Sequence, residues 1–391
     1  MVSDIHPASI LCQLAWEQNL RLHDVPARFT APDRANPDEI FEIVNPGTMD
    51  VQQPRSFVDD VAVADVHDAL AESDLAGMIL VAGESLIDLI VDPAGGVRAS
   101  LGGGPYNAAR TMARLGAEVQ FLGRVSADPF GSLLAGGLAQ SGVRLGQPAP
   151  VAEPSTLAVL SVTGDGIAQY WFHLTGTAGV LLDTGSAATA LASGQVSGLH
   201  TGALGLLAEP MASGIETLAG QLPDRALLSL DPNCRPSATP DPDGYRARVQ
   251  RLAARADIVK VSTDDLVFLR PGARLDEAAA SLLRAGARCL LVTDGPAAVR
   301  IFTKDYGLTV PVPPATVVDT VGAGDAFGGG FLAWWAEHGL GRDSLTDPDA
   351  VRAAAAAAAA VASLTCQRPG ADPPWRAGLG PGQGWDPPPG S

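Results

Sequence analysis

Positive charge is scarce in this chain. Its 391 residues carry 26 Lys and Arg against 43 Asp and Glu, a formal net charge of −17, and the only lysines are Lys260 and Lys304. A nucleic acid or an anionic membrane would need a basic face, so neither is expected as a partner and small-molecule work is the easier reading. Cysteine is sparse as well. Cys12, Cys234, Cys289 and Cys366 show no Cys-x-x-Cys spacing, which excludes a zinc site or disulfide framework of the usual kind and fits a reducing cytoplasm. No Lys or Arg precedes Arg21, and no run of about 18 apolar residues is evident, so neither an export signal nor a membrane span is expected. His-Glu-x-x-His and Gly-x-Ser-x-Gly are both missing, which removes common metalloprotease and hydrolase signatures. Neither lysine follows a glycine, so there is no Walker phosphate loop.

What is present is apolar content sufficient for a large core, in short apolar runs alternating with alanine-rich helical stretches. That alternation predicts one α/β domain built on a mainly parallel sheet. The most informative stretch is Asp319-Thr320-Val321-Gly322-Ala323-Gly324-Asp325-Ala326-Phe327. Before it, Ala315 to Val318 reads as a short buried strand; after it, Ala326 to Trp335 reads as a helix ending near Gly339. Gly322 and Gly324 would then let backbone amides converge at a helix N-terminus, a ready anion site. A carboxylate there, Asp325, suits a base that takes a proton from a hydroxyl attacking phosphate. The alternative is a plain helix cap. A dinucleotide fingerprint is excluded because Phe327 stands where a small residue is needed, and Gly328-Gly329-Gly330 lies inside the predicted helix.

The nonapeptide, together with Gly102-Gly103-Gly104-Pro105-Tyr106-Asn107-Ala108-Ala109 and Gly123-Arg124-Val125 through Asp128-Pro129-Phe130-Gly131, resembles the two signatures of the ribokinase-like (PfkB) carbohydrate kinases. Asp231-Pro232-Asn233-Cys234-Arg235 and Val259-Lys260-Val261-Ser262 are similar to its fructokinase branch. The resemblance runs from about Met78 to about Ala371. It implies a three-layer α/β/α sandwich with a doubly wound sheet and a small β lid, formed by segments near 91–101 and 156–175. Such a lid would exclude water, which is otherwise as good an acceptor as a sugar hydroxyl.

The family positions assign roles residue by residue. Asp325 would be the base, with Gly322, Ala323 and Gly324 holding the phosphate charge. Asp88, placed at the end of the first strand, with Gly103, Gly104, Asn107, Tyr170 and Arg235, would face the sugar; for Asn107 a helix N-cap is the alternative. Asp231, Asn233 and Arg235 alternate, which points them to one face if the strand continues. Lys260, Ser262, Thr293 and Gly295 join Gly322 and Gly324 on the nucleotide side, although Gly295-Pro296 is also an ordinary turn between strands. Asp265 stands in the family's magnesium motif, altered here at Ser262 and Asp265, and Asp319 in the neighbourhood of a monovalent cation. The implied reaction takes ATP with Mg²⁺, and in several relatives K⁺. The acceptor is expected to be fructose, with 2-keto-3-deoxygluconate, ribose or a nucleoside as alternatives. A lid can close alone or pair in a homodimer. A non-catalytic sugar-binding regulator is the reading from another class.

Residues 1–76 match nothing in the family. Ile10 to Leu22 and Val61 to Leu70 suit short amphipathic helices, and the segment reads either as an appendage or as an extension upstream of a start at Met78. From Asp372 to the end, Pro and Gly dominate, and disorder is expected.

Overall fold

Met78-Ile79-Leu80-Val81-Ala82 is apolar at every position, which suits a strand covered on both faces. In the computed structural model, which describes residues 77–92, 95–162, 168–380 and 382–385, this run is the central strand β1. The other strands are β2 (Leu86–Val91), β3 (Val97–Gly102), β4 (Val119–Phe121), β5 (Arg144–Leu145), β6 (Leu157–Val162) and β7 (Ala168–His173). They are followed by β8 (Val196–Gly202), β9 (Leu227–Asp231), β10 (Ile258–Ser262), β11 (Cys289–Thr293), β12 (Val299–Thr303) and β13 (Gly307–Val310). Nine of them form one sheet in the order β13-β12-β11-β10-β9-β8-β1-β4-β5. It is parallel from β5 to β11, and β12 and β13 continue it antiparallel at one edge.

Side chains alternate along β1 and feed two cores. Ile79 and Val81 pack with helices α1 (Gly104–Arg114), α2 (Pro129–Gln140), α8 (Ala323–Glu337) and α9 (Pro348–Cys366). Met78, Leu80 and Ala82 face the other side, with α3 (Thr184–Ala192), α4 (Met211–Gln221), α5 (Pro242–Ala253), α6 (Thr263–Leu269) and α7 (Leu275–Ala285). The result is the expected three-layer α/β/α sandwich. Strand order reverses beside β1, so the carboxyl ends of β1, β8, β9 and β10 open on the crevice where such sheets bind ligands.

Glycine and alanine set the closest helix contacts. A Cβ on Gly329 would lie 2.8 Å from Ala108 O, and one on Gly330 would lie 3.2 Å from Ala358 Cα, so α8 approaches α1 and α9 with bare backbone. The triple glycine is thus a packing surface. By length and composition α9 is the one helix among the described residues that could cross a membrane; its Val351, Ala354, Ala358 and Val361 are buried in the core instead.

Four strands leave the main sheet and form a second one, β3-β2-β6-β7. β2 pairs antiparallel with β3 and parallel with β6, and β7 closes the sheet as a hairpin with β6. This is where the lid was expected, but it begins at Leu86, so Asp88 lies within β2 rather than at the end of the first strand.

Two further expectations fail. Residues 311–318 form no strand: Val317 and Val318 are each 61% exposed, and the Val318 and Asp319 amides donate to Cys366 O at the end of α9. Disorder from Asp372 does not hold for 372–380 and 382–385. Arg114 binds Asp372 at 2.6 Å, Trp334 Nε1 donates to Gly384 O, and Trp385 is buried against α9, where its Nε1 donates to Ala357 O. Contact with three helices outweighs the Pro and Gly content. The segments at 10–22 and 61–70, and Cys12, lie outside the described residues.

Candidate active site

The anion turn forms as its glycines predict. Gly322 takes the left-handed conformation (φ 76°) at the N-cap of α8, and no side chain caps that helix; Ala323 N donates to Thr320 O at 3.3 Å, which leaves the Gly324 and Asp325 amides open to an anion. A Cβ at Gly322 would fall 2.5 Å from Ala371 Cβ, and one at Gly324 would fall 2.7 Å from Lys260 Nζ. Asp319 shapes the turn from below, its carboxylate accepting from Val321 N at 3.0 Å and Gly370 N at 2.8 Å.

Asp325 is in the first turn of α8 but does not cap it. Its Oδ2 accepts from Asn107 Nδ2 at 2.9 Å and its Oδ1 from Asn233 Nδ2 at 3.2 Å, so two amides from other elements aim the carboxylate into the cavity. Burial raises Asp325 above the usual carboxylate range, against the pull of Asn107, Lys260 and Arg235. That is the environment a general base needs. Asn107 is inside α1, whose N-cap is Gly103, so the capping alternative falls. Its Oδ1 is buried with no protein partner, an acceptor that calls for a donor.

The opposite wall comes from the second sheet and its connections. A cavity of about 370 Å³ is lined by Glu84, Asp88, Gly103, Gly104, Asn107, Tyr170, Phe172, Ala203, Asn233, Arg235, Lys260, Ser262, Asp265, Thr293, Thr320, Gly322, Gly324 and Asp325, among others. Asp88 crosses to β3, where a Cβ on Gly102 would meet its Oδ2 at 2.1 Å. Among the described residues nothing hydrogen-bonds its oxygens, and burial, with Asp325 and Asp319 adding, pushes it up to about 6. Tyr170 and Phe172 stack at 5.8 Å and give the cavity an apolar side.

At the ends of β9 and β10 the expected alternation breaks. Asn233 is left-handed (φ 40°); Asn233 and Arg235 both reach the cavity, while Asp231 is not part of its lining. Asp231 turns under the anion turn and accepts from Lys260 Nζ at 3.0 Å, both side chains buried. Burial pushes Asp231 up to about 6 despite that ammonium. Burial alone would depress Lys260, but Asp231, Asp265 and Asp325 hold it above its ordinary value. The 3.0 Å contact between the two buried side chains supports a charged Lys260. Arg235 faces the cavity while its Nη1 donates to the Asn233 and Cys234 carbonyls.

Ser262 caps α6 in a capping box with Asp265. Asp265 accepts from Ser262 N, Ser262 Oγ and Cys234 N, which uses three of its roughly four acceptor sites and leaves room for one water rather than direct metal ligation. Thr293, at the end of β11, lines the cavity. Gly295 (φ 53°) lies instead on the turn from β11 to β12, apart from the cavity lining.

Two cavity-lining residues have no assigned role in the sequence: Glu84, which is not singled out there, and Asn233, which is placed only by its alternation with Asp231 and Arg235. Glu84 directly follows Gly83 at the end of β1, and Asn233 is the middle residue of Asp-x-Asn-x-Arg; those positions were the available signals.

Residues 76–377 match the model of the pfkB family carbohydrate kinases. The chain is 36% identical over 260 residues to a fructokinase of Rhizobium leguminosarum bv. trifolii, covering 66% of this chain and 79% of that protein. The crystal structure of fructokinase with bound ATP from Xylella fastidiosa superimposes with a TM-score of 0.67 at 28% identity, over 75% of this chain and 93% of that one. The fructokinase from Vibrio cholerae O395 in fructose-, ADP- and calcium-bound form gives a TM-score of 0.65 at 25% identity, over 76% and 94%.

Proposed function

The chain belongs to the pfkB family of carbohydrate kinases, phosphotransferases with an alcohol group as acceptor, and from that premise we propose that it phosphorylates fructose with ATP. The observation that carries the chemistry is Asp325, aimed by Asn107 and Asn233 beside the open N-terminus of α8. The γ-phosphoryl group rests on the first amides of that helix, which hold charge on its oxygens. A sugar hydroxyl oxygen forms the new bond to phosphorus, the bond from phosphorus to the bridging oxygen breaks, and ADP leaves. Asp325 takes the hydroxyl proton. Asp88 and the unpartnered Asn107 Oδ1 accept from neighbouring hydroxyls, while Gly103 and Gly104 allow the ring close to the backbone.

Lys260 stands under Gly324, within reach of phosphate oxygens. A magnesium ion arriving with the nucleotide would neutralise phosphate charge, with Asp265 reaching it through a water. A monovalent cation in the neighbourhood of Asp319 would rest on main-chain oxygens, while the Asp319 carboxylate holds the turn through Val321 N and Gly370 N. Whether the chain pairs with a second copy is separable by light scattering.

The test is ATP consumption with Mg²⁺ across fructose, 2-keto-3-deoxygluconate, ribose, glucose and adenosine, with a no-sugar control. Selective turnover of fructose is expected. Preference for 2-keto-3-deoxygluconate would reassign Arg235 to a substrate carboxylate, and sugar binding without turnover would identify a regulator.

A further inference from the structure

The chain passes between the two sheets at Gly83–Ser85, leading from β1 to β2, and returns at Gly103, leading from β3 to α1. Glu84 lies in the first crossing and grips the second: its Oε1 accepts from Gly104 N at 3.1 Å. Its Oε2 accepts from Gly205 N at 2.8 Å, in the turn that follows β8. We propose that Glu84 is the positioning residue of the sugar half of the cavity, fixing Gly103–Gly104 against Ala203–Gly205. This rests on the sugar-kinase function proposed above.

Two facing N–H donors need an acceptor at each end of one side chain, and a carboxylate is the group of that size that supplies both. Glu84 is 2% exposed, and burial pushes it up to about 7, with Asp325 adding to the rise against the amides of Gly205 and Gly104. A residue kept only for packing would not need a carboxyl group in that place. The segment it grips is strained. Ala203 is left-handed (φ 51°), unusual for a residue with a Cβ, and it lines the cavity. A Cβ on Gly104 would come within 3.0 Å of Ala203 Cβ, so the two segments meet. Without the clasp, the strained turn is free to relax away from Gly104, and the hydroxyl contacts on both sides go out of register.

The experiment compares the steady-state kinetics of the full chain and Glu84→Gln on the sugar that the wild type turns over, with thermal midpoints recorded. Glutamine keeps the size but turns an NH₂ toward one of the two amides, losing one charge-assisted bond. The KM for the sugar is expected to rise roughly tenfold or more, while the KM for ATP stays within about twofold. An unchanged sugar KM, or equal rises in both, overturns the proposal. Glu84→Asp serves as a second variant if Glu84→Gln fails to fold. It keeps the carboxylate but is one methylene too short to hold both Gly104 N and Gly205 N, so the sugar KM should still rise while the KM for ATP stays; an unchanged sugar KM here also overturns the proposal. A wild type that turns over no sugar refutes the underlying function, and this role with it.

Discussion

Replacing Asp325 by asparagine separates its two duties, because an amide keeps the shape but cannot take a proton. In the folded chain Asp325 accepts one hydrogen bond on each oxygen, from Asn107 at 2.9 Å and Asn233 at 3.2 Å. The Asp325→Asn side chain would accept only one of them. The other amide then faces an NH₂ group, a buried mismatch worth about 1–3 kcal/mol of stability. The chemical loss is separate and larger: removing a positioned base lowers kcat by about 10²–10⁴, or roughly 3–5 kcal/mol in the barrier. The open amides of α8 and the contacts of Asp88 are untouched, so ATP and sugar should still bind within a few-fold by calorimetric titration. The pH profile adds a check. Burial holds Asp325 above the ordinary carboxylate range, and the base must be ionised to act, so wild-type kcat should fall as pH drops through that raised value. The residual rate of the variant should not follow that fall. A kcat within about tenfold of wild type would remove Asp325 as the base.

Asp88→Ala should raise the KM for the sugar with little change for ATP, since its carboxylate is open to the cavity on the second sheet; unchanged sugar affinity by titration would displace Asp88 from the sugar side. Stability should fall as pH rises from about 4 to about 7. Glu84 and Asp88 are pushed up to about 7 and 6, so the folded chain binds more protons than the unfolded one there; His200, pushed down to about 4 by burial, opposes them. A thermal midpoint higher at pH 7.5 than at pH 5 contradicts this balance. Trp385→Ala should cost about 3–5 kcal/mol in urea unfolding, with kcat kept below the transition, because Trp385 is 3% exposed and packs on α9 rather than in the cavity. An unaltered midpoint would mean that the tail carries no stability.

The anion turn was legible because its chemistry is local: Gly322, Gly324 and Asp325 are neighbours, and positive φ with open amides is written in glycine. The sheet was legible for a similar reason, since all-apolar strands and alanine-rich helices are patterns within short windows. What was hidden depends on partners distant in sequence. Asn107 and Asp325 are 218 residues apart, and Glu84 and Gly205 are 121 apart, so composition near either one shows nothing of the bond. Val317 and Val318 read as a strand from β-branching, but their segment pairs with the end of α9, and no ladder forms. The tail misled through its Pro and Gly; Trp385 was the countersign, a large apolar side chain with a core to enter. Asp265 and Gly295 kept their family positions while the structure gave them a capping box and an open turn.

The crossing held by Glu84 also sets a lever. At about 3.3 Å per residue, Asp88 stands roughly 10 Å out from Ser85 along β2, and Val91 roughly 20 Å. Any tilt of the second sheet about that fulcrum, say about 10°, would carry Asp88 less than about 2 Å and Val91 about 3.5 Å. On the function proposed above, recognition sits near the axle and coverage out on the arm, so the rim travels about twice as far as the carboxylate for the same tilt.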